Sequence, residues 1–146
     1  MKKTIILTIS ILFMGCSVFN SLLVEHNIDK KLVGTWSGSE KDEQIKGVQK
    51  FWVQYRYADG TYKIVFTVKY DGVPENQSDK FTEFGNWWVK DGVFNEMEKT
   101  SKNIDSYFYE ITDSDHVIFK ANKLETQFDN KNYSFVDSRV QNDSIK

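Results

Sequence analysis

Between residues 33 and 140 the apolar side chains recur at every second position, and that spacing predicts strands rather than a helical bundle. Phe51, Val53, Tyr55 and Tyr57 alternate with Lys50, Gln54 and Arg56. Asp59-Gly60 follows, a dipeptide suited to the positive φ angles of a tight hairpin. On the return, Tyr62, Ile64, Phe66, Val68 and Tyr70 share one face, with Lys63, Thr67 and Lys69 opposite. Residues 71–79, which hold the only proline (Pro74), read as a longer loop. Next come residues 80–90, a second Asp-Gly turn at Asp91-Gly92, and residues 93–98. A further hairpin joins 107–112 to 116–128 through Asp113-Ser114-Asp115, and residues 133–140 close the series. With residues 33–39 at the start, the count is about eight strands in sequential hairpins. Before them, Asn27 is placed to cap a single helical turn over 28–33, ended by Gly34.

Eight antiparallel strands on short turns fit a sandwich or an up-and-down barrel. The barrel is favoured, because it leaves no exposed edges and no segment resembles a long Greek-key crossover. The expectation is an all-β, eight-stranded antiparallel barrel over residues 32–140, followed by a polar tail at 141–146. Too many lysines lie in the outward phase for a lipid-facing band, so a membrane-spanning barrel is not expected.

The N-terminus reads as an address. Lys2 and Lys3 precede an uncharged stretch over residues 4–14, about 17 Å long as a helix and too short for a bilayer core of about 30 Å. Positive start, short apolar centre and small-residue stop describe a secretory signal peptide. Its end, Phe13-Met14-Gly15-Cys16, resembles the lipobox of bacterial lipoproteins, which implies cleavage before Cys16, lipidation of that cysteine and anchoring in the cell envelope. Residues 1–15 are then leader and 16–31 a lipidated tether. Losing 15 of 146 residues removes Lys2 and Lys3 and leaves 17 basic against 21 acidic side chains. A domain of that sign gains nothing from anionic headgroups, so the acyl chains must do the anchoring. Ser17, where many inner-membrane lipoproteins carry aspartate, implies the outer membrane more than the inner.

Leu32-Val33-Gly34-Thr35-Trp36 resembles the Gly-x-Trp signature of lipocalins. Ala58-Asp59-Gly60-Thr61-Tyr62 and Gly85-Asn86-Trp87 are similar to segments of lipocalin-like lipoproteins of bacterial envelopes, and Ser138-Arg139-Val140 ends the last strand where lipocalins carry an arginine over the signature tryptophan. The resemblance covers residues 32–140 and implies a ligand-binding barrel, although the domain is shorter than typical lipocalins and lacks their disulfide. Independently of the family, Gly34 permits a sharp entry into the wall, Trp36 offers a large apolar plug, and Arg139 is suited to stack on it. The three form a structural signature.

An eight-stranded barrel is filled by side chains or holds one small ligand. The inward phase by hydrophobicity gathers Tyr55, Tyr57, Tyr62, Phe66, Trp87, Tyr107 and Tyr109 as ligand-binding candidates. Phenols on apolar walls suit a small, largely apolar molecule; the alternative is that the same rings fill the interior. Trp52, Phe84, Trp88, Phe94, Phe108 and Ile118 fall in the opposite phase, where they would form an external aromatic patch for a protein partner.

Catalysis is not expected. His26 and His116 lie in tether and turn, Ser101, Ser106 and Ser114 lack a nearby second histidine, and alternation puts Glu96 and Glu110 outward. Asp113-Ser114-Asp115 lacks the glycine and distal glutamate of a calcium loop. No phosphate-cradling glycine pattern or metal-ligand spacing occurs, so no cofactor is implied. Near balance of 19 basic and 21 acidic residues argues against nucleic acid.

Overall fold

Eight strands follow one another along the chain: β1 (Gly34–Lys41), β2 (Val48–Arg56), β3 (Thr61–Tyr70), β4 (Asp79–Lys90), β5 (Val93–Glu98), β6 (Ile104–Ile111), β7 (His116–Lys123) and β8 (Ser134–Arg139). The structure is a computed structural model that describes residues 27–41, 46–125 and 132–141. The leader, Cys16 and most of the tether lie outside the described residues. Each strand pairs antiparallel with the next, and β8 returns to β1 through Trp36↔Arg139 and Ser37↔Ser138. The sheet is therefore a closed up-and-down barrel.

One end, the floor, is sealed by residues 27–33. The Leu32 N–H donates to the Asp29 carbonyl at 2.9 Å and the Lys31 N–H to Asp29 Oδ1 at 2.9 Å, so Asp29 organises this turn. Asn27, expected as its cap, instead bridges Val89 of β4. Trp36 is wholly buried, and its indole N–H donates to the Leu32 carbonyl at 2.8 Å. The Arg139 guanidinium lies 4.1 Å from the Trp36 ring centroid and donates to the carbonyls of Val33 (3.1 Å), Lys31 (2.8 Å) and Ser114 (3.0 Å). Gly34 sits at φ +136°, and a Cβ there would stand 2.6 Å from Arg139 Nη1. A side chain at this position would therefore push the arginine off the ring. Above the floor, Phe94 meets Phe119 edge-to-face with ring centroids 5.1 Å apart, and Phe119 stacks on Phe135 at 5.0 Å. Together with Trp87 and Tyr107 they pack the lower interior.

The two Asp-Gly turns behave differently, and the difference sets which face of β2 looks inward. Asp91 and Gly92 both have positive φ (52° and 77°), and Lys90 pairs directly with Val93, so that hairpin has a two-residue loop. At Asp59-Gly60 only Gly60 is positive (φ 81°). The Tyr57 N–H donates to the Thr61 carbonyl and the Gly60 N–H to the Tyr57 carbonyl, which makes a three-residue loop of residues 58–60. Tyr62 consequently pairs with Arg56 rather than with Tyr57. A register shift of one residue reverses every side chain on a strand. Val48, Trp52, Gln54 and Arg56 point inward, whereas Phe51, Val53, Tyr55 and Tyr57 face out.

That shift corrects two of the expected ligand-binding residues. Tyr55 sits on the outer wall with the Lys63 ammonium 5.7 Å from its ring centre, and Tyr57 is 46% exposed at the hairpin. The external patch is corrected as well. Trp52 is interior, lying over Gly38, where a Cβ would come within 2.2 Å of the indole. Phe94 is core, and Trp88 is buried despite its outward phase. Phe84 and Phe108 remain exposed.

Candidate functional site

The inward face of β2 brings polar groups into the middle of the barrel. Asp137, wholly buried on β8, accepts the Trp52 indole N–H at Oδ1 (2.7 Å) and Arg56 Nη2 at Oδ2 (2.5 Å). The same Arg56 nitrogen donates to Gln54 Oε1 at 2.6 Å, and Gln54 Nε2 donates to Glu96 Oε2 at 3.0 Å. Arg56 Nε and Nη1 have no hydrogen-bond partner among the described residues. The guanidinium carbon instead lies 4.9 and 5.0 Å from the ring centres of Phe119 and Phe94, where the ring quadrupoles favour a cation. Burying this pair costs desolvation energy, against which the ion pair, the amide and the two rings act.

Glu96 stands between this network and the mouth. Alternation from Phe94 turns it inward, against the expectation that it faced solvent. Burial pushes its carboxyl up to about 7, opposed by the Arg56 charge and the Gln54 hydrogen bond and reinforced by Glu83 and Asp105. Asp105 on β6 is its direct cross-strand partner, so two carboxylates oppose each other on the inner wall. Like charges in that position repel.

Above Glu96 the wall parts. β5 ends at Glu98 and the Phe84 carbonyl accepts the Lys99 N–H at 2.8 Å, so residues 79–83 of β4 pair with β3 alone. A cavity of about 460 Å³ fills the gap, between β4 and the β5–β6 loop. Its carboxylates are Glu83, Glu96, Glu98 and Asp105, its one lysine is Lys99, and its rings are Tyr62, Phe81 and Phe84. Phe81 stacks on Phe66, with centroids 4.8 Å apart. The Tyr62 hydroxyl donates to Glu83 Oε1. That reach depends on Gly85, where a Cβ would lie 2.5 Å from the Tyr62 ring and 2.1 Å from the Met97 carbonyl oxygen.

Titration behaviour follows location. Burial, opposed by the Tyr62 hydrogen bond, raises the Glu83 carboxyl. Burial also raises the Tyr62, Tyr107 and Tyr133 phenols, with the Glu96 charge adding to the first two and a hydrogen bond to Glu40 to the third. Glu98, at the rim, is held down to about 2 because it accepts the backbone N–H groups of Ser101 and Thr100.

Of the expected ligand-binding residues, Tyr62 lines this cavity and Phe66 supports its rim ring Phe81. Trp87, Tyr107 and Tyr109 belong to or pack against the core below, and Tyr55 and Tyr57 lie outside the barrel. Arg56, Asp137, Glu83 and Glu96 were missed. The signal that points to Asp137 is the inward phase of β8, Tyr133-Phe135-Asp137-Arg139, in which it sits between two packing positions. His116 is exposed at the start of β7, with Nδ1 2.9 Å from Asp113 Oδ1 in the preceding turn. Among the described residues no group of three or more histidine, cysteine, aspartate or glutamate side chains is placed to hold a metal ion. No family model matches the chain, and no curated protein matches it.

Proposed function

We propose that this chain is a bacterial envelope lipoprotein, anchored through lipidated Cys16 and located at the outer membrane more than the inner. Its lipocalin-like barrel binds a small molecule with a largely apolar body and acts as a binder rather than an enzyme. The observation that carries the reading is the contrast between the two ends of the barrel. The floor is sealed by Trp36, Leu32 and Arg139, while the mouth holds a cavity of about 460 Å³ in which the rings of Tyr62, Phe81 and Phe84 stand among polar and charged side chains. That volume lies within the range of small-molecule sites, about 300–1,000 Å³. The anchor rests on Lys2, Lys3, the apolar stretch to Met14, and Gly15-Cys16.

Native mass spectrometry of the full-length product, extracted in detergent, tests both halves. The expected protein mass is that of a chain beginning at Cys16 with acyl chains attached, carrying a second, dissociable small-molecule mass. An uncleaved, unacylated chain overturns the anchor. A barrel that carries no small molecule, even from the native membrane, overturns the binding function.

A further inference from the structure

The geometry points to an organic cation as the ligand of the mouth: a protonated amine on an aromatic or aliphatic body. The inference rests on the mouth being a ligand site, and it concerns what that site selects. The cavity defines the site, and the charges around it define the class.

Glu83 on β4, Glu96 and Glu98 on β5, and Asp105 on β6 converge on one space from three strands. Their compensation within the described residues is incomplete. The hydrogen bonds they accept come from neutral donors: the Tyr62 hydroxyl on Glu83, the Gln54 amide on Glu96 and the Glu125 backbone N–H on Asp105. The nearest buried cation, Arg56, already serves Asp137 at 2.5 Å. Glu98 is held by the loop amides of Thr100 and Ser101. Lys99 is the lone basic side chain of the lining. Glu96 and Asp105 face each other directly across the β5–β6 ladder, a repulsive arrangement that a positive group between them would convert to an attractive one.

The class narrows further. An ammonium offers up to three N–H donors, matching ionised carboxylate oxygens and a phenol oxygen whose O–H is already engaged in its hydrogen bond to Glu83. Phe81, stacked on Phe66 and 49% exposed, offers a ring face for the ligand body at the rim. A fatty-acid carboxylate would instead be repelled by the negative charge of this lining. The same lining predicts a pH response. With Glu96 titrating near 7, the site gains negative charge as pH rises, so cation binding strengthens in that direction.

Three probes sharing one ring and one chain length separate the possibilities: 2-phenylethylamine, 2-phenylethanol and 3-phenylpropionate, titrated calorimetrically into the full-length protein. The amine should bind about tenfold more tightly than the alcohol, as one charge-assisted hydrogen bond provides, and the carboxylate should bind weakest. Glu83→Gln and Glu96→Gln should each shrink the amine's advantage without weakening the alcohol. Raising the pH from about 6 to about 8 should tighten the amine alone. Equal or tighter binding of the alcohol or the carboxylate overturns the cation preference and leaves the mouth standing as a ligand site. Failure of all three at millimolar concentration overturns both readings.

Discussion

Replacing Glu96 by glutamine should make the protein more stable at alkaline pH and change little at acid pH. The carboxyl titrates near 7 in the folded barrel against an ordinary value of 4.5, because burial disfavours its charged form. The folded value is the higher one, so the folded chain keeps a proton that the unfolded chain releases. The stability this provides is fully present below pH about 4.5 and is lost as pH rises through about 7. The difference of about 2.5 units corresponds to roughly 3 kcal/mol, reduced toward about 2 kcal/mol by water in the adjoining cavity. Glutamine occupies the same space, still accepts from Gln54 Nε2, and does not titrate. Other groups shift too, Glu83 upward and Glu98 downward, but they are common to both proteins and cancel in the difference. Urea unfolding followed by tryptophan fluorescence supplies the measurement, since Trp36, Trp52, Trp87 and Trp88 are all buried. Between about pH 5 and pH 8 the two stability curves should diverge by about 2–3 kcal/mol, the variant gaining. Curves parallel to within about 0.5 kcal/mol would mean that water solvates Glu96 as it does a surface carboxylate, and the burial argument would fail.

Two further substitutions probe the interior and its outer face. Asp137→Ala strands the Arg56 guanidinium and the Trp52 indole N–H together, and should cost about 3–5 kcal/mol in the same unfolding assay; pairing it with Arg56→Met should recover most of the loss. Tyr55→Ala, on the outer wall beside Lys63, should change stability by about 0.5 kcal/mol or less and leave calorimetric binding of 2-phenylethylamine untouched.

The barrel itself was readable because its evidence is redundant. β5 runs over exactly the expected residues 93–98, and β3, β4 and β8 depart by a single residue at one end or both. Alternation, turn dipeptides and the absence of a long crossover each lead to the same closed sheet. β2 shows where such redundancy ends. Its odd positions, Phe51, Val53, Tyr55 and Tyr57, are more apolar than its even ones, so hydrophobicity turns the wrong face inward. What decides the phase is a backbone detail, the three-residue loop at residues 58–60, in which Asp59 Oδ1 accepts both the N–H and the hydroxyl of Thr61. Asp91-Gly92 forms the two-residue loop its sequence suggests, and β4 and β5 there keep the register it dictates. The same dipeptide thus closes two hairpins whose registers differ by one residue. Phase must come from pairing with a neighbour of known face; Tyr62 against Arg56 would have settled it.

The site was less legible than the fold for a related reason. A phase assigned by hydrophobicity sends charge outward by construction, so it cannot find charged side chains that point into a barrel. Lys50, Gln54 and Arg56 on β2, Glu83 on β4, Glu96 on β5 and Asp137 on β8 all violate that assumption, and each is matched by a specific partner rather than by water alone. They are also not scattered. Near the floor the charge is paired and surrounded by rings, Arg56 with Asp137 between Phe94 and Phe119. At the mouth four carboxylates, each hydrogen-bonded to a neutral donor, share the lining with a single lysine, Lys99. Departures from the local rule that are compensated maintain structure, and those left uncompensated beside a cavity mark where a ligand completes it. By that criterion the lower network holds the barrel together, and the acidic mouth is where the proposed ligand would sit.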